Sequence, residues 1–399
     1  MTSVPLWSVA TPIRNTVEPD RLAPEVVHYS IPALEATGGP LTEPSESIKS
    51  AKLQIHGGEL LVAKLNPRKS RVLLMPMVAS PTVASTEFVA FMPHGADPQF
   101  LMYFLQSEAS RQFFDANVRS VTRSHQRVEP DVIARTPVPD IPLDEQRRIA
   151  DFLDTETTRL DRLLALRQRQ EALLAEQHDA AMSAAIDEAG EGAVQLRLKH
   201  TGARVTVGIV VTPAAWYVDT GGVPAVRGVD VSPGRIRTEN LVEISHEGDA
   251  EHAKSRLRSG DVVVVRTGKA GAACAVPDSL VGANAIDLLI VRPGARLMPR
   301  YLEHLINSEQ TRRFVDEFSV GTIQSHFNVG TLGELPIRML GHRGQSLVVK
   351  KLDALDERQR ALVQAIASQR KRLAERRQAL ITAAVTGQFD VTTARGGVS

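Results

Sequence analysis

The chain matches itself at an offset of about 200 residues. Gly58-Glu59-Leu60-Leu61-Val62-Ala63-Lys64 returns as Gly260-Asp261-Val262-Val263-Val264-Val265-Arg266. Phe100-Leu101, Ser107-Glu108 and Arg111 return as Tyr301-Leu302, Ser308-Glu309 and Arg312, Ser124-His125 as Ser325-His326, and Pro137 as Pro336. That period is too long for a solenoid. It describes a unit of two parts written twice, and it constrains the fold more than any other feature of the 399 residues.

The first part of each unit is mixed. Short β-rich runs (59–63, 72–75, 261–265, 285–291) stand between Gly and Pro punctuation and predict strands. One helix is predicted over 98–117 and one over 299–318. Each unit then ends in a long helical segment. The first opens at Pro142-Leu143-Asp144-Glu145, with proline and acids in the first turn, and runs to about 187, before the glycines at 190 and 192. The second runs from about 344 to 386 and stops at Gly387. Apolar residues recur every three or four positions: Ile149, Leu153, Leu160, Leu163, Leu174 and Ala181 in the first, then Val348, Leu352, Leu355, Leu362, Ile366, Leu373, Leu380 and Ala383 in the second. Both sets fall on one heptad frame, which predicts a coiled-coil seam between the helices.

Charge divides along the same boundaries. Residues 1–141 carry a net of −1 and residues 193–341 a net of +2. The first long segment (142–192) has 6 Lys/Arg against 12 Asp/Glu, and the second (342–399) has 11 against 5. An acidic helix and a basic helix suit one another as partners, with opposite charges flanking the seam. The overall net charge of +1 neither demands nor forbids nucleic acid.

Composition rules out other classes. With 43% hydrophobic and 23% charged residues, there is material for more than one core, and global disorder is excluded. The single cysteine, Cys274, excludes an internal disulfide and an all-cysteine zinc site, and it fits a cytoplasmic protein. Residues 1–15 lack a basic start followed by an apolar run, so no cleaved signal is expected, and no apolar stretch is long enough to span a bilayer.

No catalytic constellation emerges. The nearest approach to a phosphate-binding loop, Arg266-Thr267-Gly268-Lys269-Ala270-Gly271, lacks the required spacing, and no nucleophile elbow occurs. Asn66-Pro67-Arg68 is not the loop of an amino-methyltransferase. His246 and His252 lie six residues apart, off a common helical face, and Gly248 between them argues against a helix. Asp131 and Asp140 have no Asp/Glu-x-Lys partner at nuclease-like distance. No metal site and no catalytic residue is expected.

Two binding features recur in both units. Lys64, Arg68, Lys69 and Arg71 form a basic loop after a predicted strand, and Arg266, Thr267 and Lys269 occupy the matching place. Lysine and arginine there supply charge for phosphates. A second loop carries Arg119, Arg123, His125, Gln126 and Arg127, matched by Gln324, Ser325, His326 and Asn328. Arg, Gln and Asn are side chains that read base edges in the major groove.

The whole chain resembles the specificity (S) subunits of type I restriction–modification systems. The resemblance is carried by Val4-Pro5-Leu6-Trp7-Ser8-Val9, by the strand and loop at 260–271, and by Leu380-Ile381-Thr382-Ala383-Ala384-Val385-Thr386-Gly387. It is carried most specifically by the join Pro137-Val138-Pro139, Pro142 and Glu145-Gln146-Arg147-Arg148-Ile149-Ala150. The second join, Leu335-Pro336-Ile337 then Gln345-Ser346-Leu347-Val348-Val349, lacks the glutamate and the second proline. The resemblance implies an α+β fold with pseudo-twofold duplication: target-recognition domains at 1–141 and 193–341, joined by long antiparallel helices at 142–192 and 342–399. Each domain would read one half of a split site in double-stranded DNA. The helices would space the halves and dock two methyltransferase (M) subunits, with restriction (R) motor-nuclease subunits added for cleavage. The chain itself would be non-catalytic, and S-adenosylmethionine, ATP and magnesium would belong to the partners. Two other readings remain open on residues alone: a nuclease with an unrecognised carboxylate pair, and a coiled-coil scaffold that does not bind DNA.

Overall fold

The computed structural model describes residues 2–77, 80–120, 126–189, 193–268, 270–318 and 327–392. The chain forms two compact units: Met1–Gln168 with Ala367–Ser399, and Arg169–Ile366. Both long helices contribute to both units. Leu143–Ala189 has 47 residues and His342–Val385 has 44.

The first unit is built on an antiparallel sheet in the order Ala10–Ile13, Phe88–Pro93, Leu60–Ala63, Val72–Leu74. Leu60–Ala63 is buried on both faces, which explains its unbroken apolar run. Leu60 and Val62 pack with Phe100, Leu101 and Phe104 of the helix Pro98–Gln106. Leu61 and Ala63 point the other way, to Ile55, Met75 and Phe88. A second, five-stranded sheet contains Glu25–Tyr29 and Thr82–Ser85, which pair in parallel. Ser3–Pro5 pairs with Pro137–Pro139 and brings the start of the chain to the join.

The second unit has a sheet of the same order: Arg204–Val207, Leu288–Arg292, Val262–Val265, Ala273–Ala275. Val262 and Val264 face Tyr301, Leu302 and Leu305, and Val263 and Val265 line the other face beside Ile290 and Leu288. Val194–Arg197 pairs with Pro336–Met339, as Ser3–Pro5 does with its own join.

Three departures from the sequence expectation occur. The helices predicted over 98–117 and 299–318 are each two: Pro98–Gln106 and Glu108–Ala116, then Pro299–Asn307 and Glu309–Phe318. The buried serines between them, Ser107 and Ser308, are extended, and each hydroxyl accepts from the amide three residues on. A local cap thus replaces a turn of continuous helix. The strand predicted over 285–291 breaks at Asp287, which has φ +51°. Asn284–Ile286 joins one sheet and Leu288–Arg292 another. The third is His246–Glu251, which is a helix despite Gly248. A Cβ at Gly248 would lie 2.9 Å from the Trp216 ring, so close packing demands the glycine there.

Within each unit the long helices run antiparallel. In the first unit Asp161 pairs with Arg377 at 2.9 Å, and the rings of Phe152 and Phe389 lie 5.7 Å apart. In the second, His178 meets Asp356 and Glu188 meets Lys351, both at 2.7 Å. Acid on the first helix faces base on the second in Asp161–Arg377 and Glu188–Lys351. Of the predicted seam, Ile149, Leu153, Leu160, Val348, Leu352 and Ile366 are buried. Leu174, Leu355, Leu373 and Leu380 are half-buried, and Leu163 and Leu362 are 37% and 40% exposed.

A buried glutamine fastens each long helix to its unit. Gln146 accepts from the Asp97 amide at 2.8 Å and donates to the Ile141 carbonyl at 2.9 Å. Gln345 accepts from the Met298 amide at 2.7 Å and donates to the Leu340 carbonyl at 2.8 Å. The second join, which lacks the glutamate and the second proline, keeps this clamp. About two turns further in each unit, a carboxylate on the long helix receives two side chains from the short helix. Asp154 takes Gln99 and Tyr103, both at 2.6 Å, and Asp353 takes Arg300 and His304. Burial, reinforced by Asp154, pushes the Tyr103 phenol up to about 12.

Candidate nucleic-acid interface

In both units the two loops singled out in the sequence meet. The Val128 amide donates to the Lys64 carbonyl at 3.0 Å, and the Asn66 amide donates to the Gln126 carbonyl at 2.8 Å. In the second unit the Phe327 amide donates to the Arg266 carbonyl at 3.1 Å. Val128 and Phe327 are buried, so each second loop is anchored by an apolar side chain beside the basic loop. Asn66 and Ser70 have φ of +50° and +41°, which folds the segment 66–70 into a tight basic projection.

Four of the first unit's cations are held by carboxylates. Glu35 binds Lys69 at 2.6 Å and also binds Arg71. Hydrogen bonds from Lys69 and then Arg71 hold the Glu35 carboxyl below its usual range. Arg71 also donates to the Leu65 carbonyl at 3.2 Å. Arg68 pairs with Asp115 at 3.2 Å and Arg127 with Glu87 at 2.8 Å. Lys64 and Gln126 are half-buried. Arg119 pairs with Arg127 through the backbone. Arg123 and His125 lie outside the described residues.

In the second unit Arg266 is held at 2.9 Å by Asp287, which also accepts from the Thr267 hydroxyl at 3.2 Å. The Asn328 side chain accepts from the Thr331 amide at 2.9 Å and caps the helix Val329–Gly333. Lys269, Gln324, Ser325 and His326 lie outside the described residues.

Sequence reasoning missed a cleft of about 850 Å³ beside Thr267 and Asp287. Its walls include Arg227, Asp230, Arg235 and Arg237. Asp230 is buried, and its carboxylate takes Arg227 Nε at 3.0 Å and an Arg237 terminal nitrogen at 3.2 Å. Burial pushes the Asp230 carboxyl up, but the arginine hydrogen bonds outweigh it, and the group stays below its ordinary value. The available signal was Arg227-Gly-Val-Asp230 followed by Arg235 and Arg237, three arginines within eleven residues. It has no counterpart in the repeat, and the repeat steered the choice of loops.

Among the described residues, His304, Asp353 and Asp356 form the one group of three metal-type ligands within reach of a common ion. His304 Nε2 lies 2.9 Å from Asp353 and His304 Nδ1 lies 3.7 Å from Asp356, so the ring is bracketed by carboxylates on different nitrogens. The cluster lies where the short helix meets the long one, and Arg300 shares Asp353. No described helix is long and apolar enough to cross a membrane.

No family model and no curated protein matches the chain. Solved structures do. A chain from a structure of the complex assembly and conformational transition of a type I restriction–modification system is 19% identical, with a TM-score of 0.70 over 96% of this chain and 97% of that one. The HsdS subunit of Thermoanaerobacter tengcongensis is 19% identical, with a TM-score of 0.44 over 97% of both chains. The S subunit of a type I system from M. genitalium is 13% identical, with a TM-score of 0.40 over 96% of this chain and 95% of that one. The fold comparison rests on the first of these. Two of these neighbours are by name S subunits, and the chain has the fold of a chain from a type I restriction–modification system.

Proposed function

We propose that this chain is the DNA-recognition subunit of a type I restriction–modification complex. The observation that carries the reading is the same junction in both units: a basic loop after a central strand, hydrogen-bonded through its first carbonyl to a second polar loop. Two such junctions in one chain suit a bipartite site, one half read by residues 1–141 and the other by 193–341. Phosphate contacts from Lys64, Arg68, Lys69 and Arg71 would position the first half, and loop side chains would specify it. The long helices would set the distance between halves and present the docking surface for two methyltransferase subunits, with motor-nuclease subunits joining for cleavage. In this reading the chain is cytoplasmic and performs no chemistry. S-adenosylmethionine, ATP and magnesium act on its partners.

The test is selection of bound sequences from a randomised duplex pool by the full chain. The expected result is a motif of two separated halves, with affinity that falls steeply with salt. Magnesium-dependent cutting of the pool by the purified chain would support a nuclease instead. No enrichment and no salt-dependent binding would leave a scaffold that does not bind DNA.

A further inference from the structure

We infer that the hairpin Val231–Ile236 and its flanks form the base-reading element of the second unit, with Arg237 as the reading side chain and Asp230 as the residue that positions it. This rests on the DNA-recognition reading above and names where, within the second unit, sequence is read.

The hairpin pairs Val231–Ser232 with Arg235–Ile236 around Gly234, whose φ of +69° makes the turn. Val231 and Ile236 are buried and fasten it to the core beside Cys274 and Leu280. The exposed side therefore carries Arg235 and Arg237, with Val229, 73% exposed, next to them. A two-stranded ribbon of this kind is one of the two elements the major groove admits.

Arg237 is 56% exposed at its side chain, yet it is not loose. One terminal nitrogen donates to the buried Asp230 carboxylate, and the Arg237 amide donates to the Asp230 carbonyl at 2.8 Å. Arg227 fills the rest of the same carboxylate from the other side. The Arg237 guanidinium is thereby oriented through one terminal nitrogen, which also donates to the Val229 carbonyl at 3.5 Å, and the side chain lines the cleft. Orientation is what a base contact requires. A phosphate contact requires only charge, and Arg235, without such a buttress, suits that role.

The cleft also holds a carboxylate, Asp287, fixed by Arg266 and Thr267. A surface for base edges presents donors and acceptors together, and an oriented arginine matches the O6 and N7 acceptors of guanine. Asp287 is held at φ +51° between two strands of different sheets, so its position is set by the core.

The experiment is the same selection from a randomised duplex pool, run with the full chain and with Arg237→Ala, Arg237→Lys and Asp230→Asn. The wild type should enrich two half-sites. Arg237→Ala should flatten one G·C position in one half, reducing the preference there by roughly 5- to 150-fold, and leave the other half intact. Arg237→Lys keeps the charge and should lose the same position. Asp230→Asn should broaden that position and no other. An unchanged motif in Arg237→Ala and Arg237→Lys overturns the inference, and so does a uniform loss of affinity with the motif intact. A wild-type chain that enriches nothing overturns the recognition reading itself, so the two failures are distinct.

Discussion

The side-chain oxygen of Gln345 sits 2.7 Å from the Met298 amide, and its nitrogen satisfies the carbonyls of Arg296 and Leu340. A single buried side chain thus closes three backbone groups where the second long helix meets the globular part of its unit. Replacing it with leucine leaves those groups dry and unpaired, at a cost of about 1–3 kcal/mol or more. Urea unfolding of Gln345→Leu should show a lowered midpoint. An unchanged midpoint would mean that the glutamine is not the fastening. Gln146→Leu should behave alike through Asp97 and Ile141.

Asp356 provides a pH test of helix pairing. Burial raises its carboxyl, but the His178 hydrogen bond and the neighbouring His304 outweigh burial and hold the group below its ordinary value. A depressed folded-state pKa contributes stability above the unfolded value of about 3.9 and loses it as pH falls through the folded value. Asp356→Asn should therefore destabilise the chain at pH 6–7, and the gap from wild type should close in acid below about pH 4. Thermal unfolding across that range measures it. A gap independent of pH would show that the charge contributes nothing.

Gly248→Ala should destabilise although alanine is the better helix former. The propensity gain is about 1 kcal/mol. The added methyl meets the Trp216 ring at 2.9 Å, and overpacking typically costs about 1–3 kcal/mol. A drop in melting temperature that Trp216→Leu partly restores is the expected result.

Glu35→Gln should strengthen DNA binding. The carboxylate now occupies Lys69 and Arg71, and removing its charge frees both for phosphates. Each further phosphate that a freed cation neutralises steepens the slope of log affinity against log salt by about 0.9. A titration from low to moderate salt should show a steeper slope in the variant. An identical slope would place these cations away from DNA.

Helix length should set the spacing of the recognised halves. Four residues inserted in each long helix, after Ala175 and after Ala361, add about 6 Å at ~1.5 Å per residue. The selected half-sites should keep their sequences while the unread spacer lengthens by one or two base pairs, at about 3.4 Å each. A folded insertion variant that selects the original spacing would refute the role.

What the sequence determined was local or periodic. Pro142 starts a helix, Gly387 at φ +71° ends one, and no proline or glycine interrupts the run between Leu143 and Ala189. The strands Leu60–Ala63 and Val262–Val265 were legible because burial on both faces requires an unbroken apolar run. What only the tertiary structure decided depends on residues distant in the chain. Gly248 is helical because Trp216 packs against it, and Asp287 divides a strand because its two halves find partners in different sheets. Arg237 is oriented because Asp230 is buried under it, and Arg266 is fixed by an aspartate twenty-one residues on. A pattern in sequence reports the average environment of a segment. Which side chain satisfies a buried carboxylate, or which backbone accepts a close approach, is settled only when the packed core brings those groups within about 3 Å of each other.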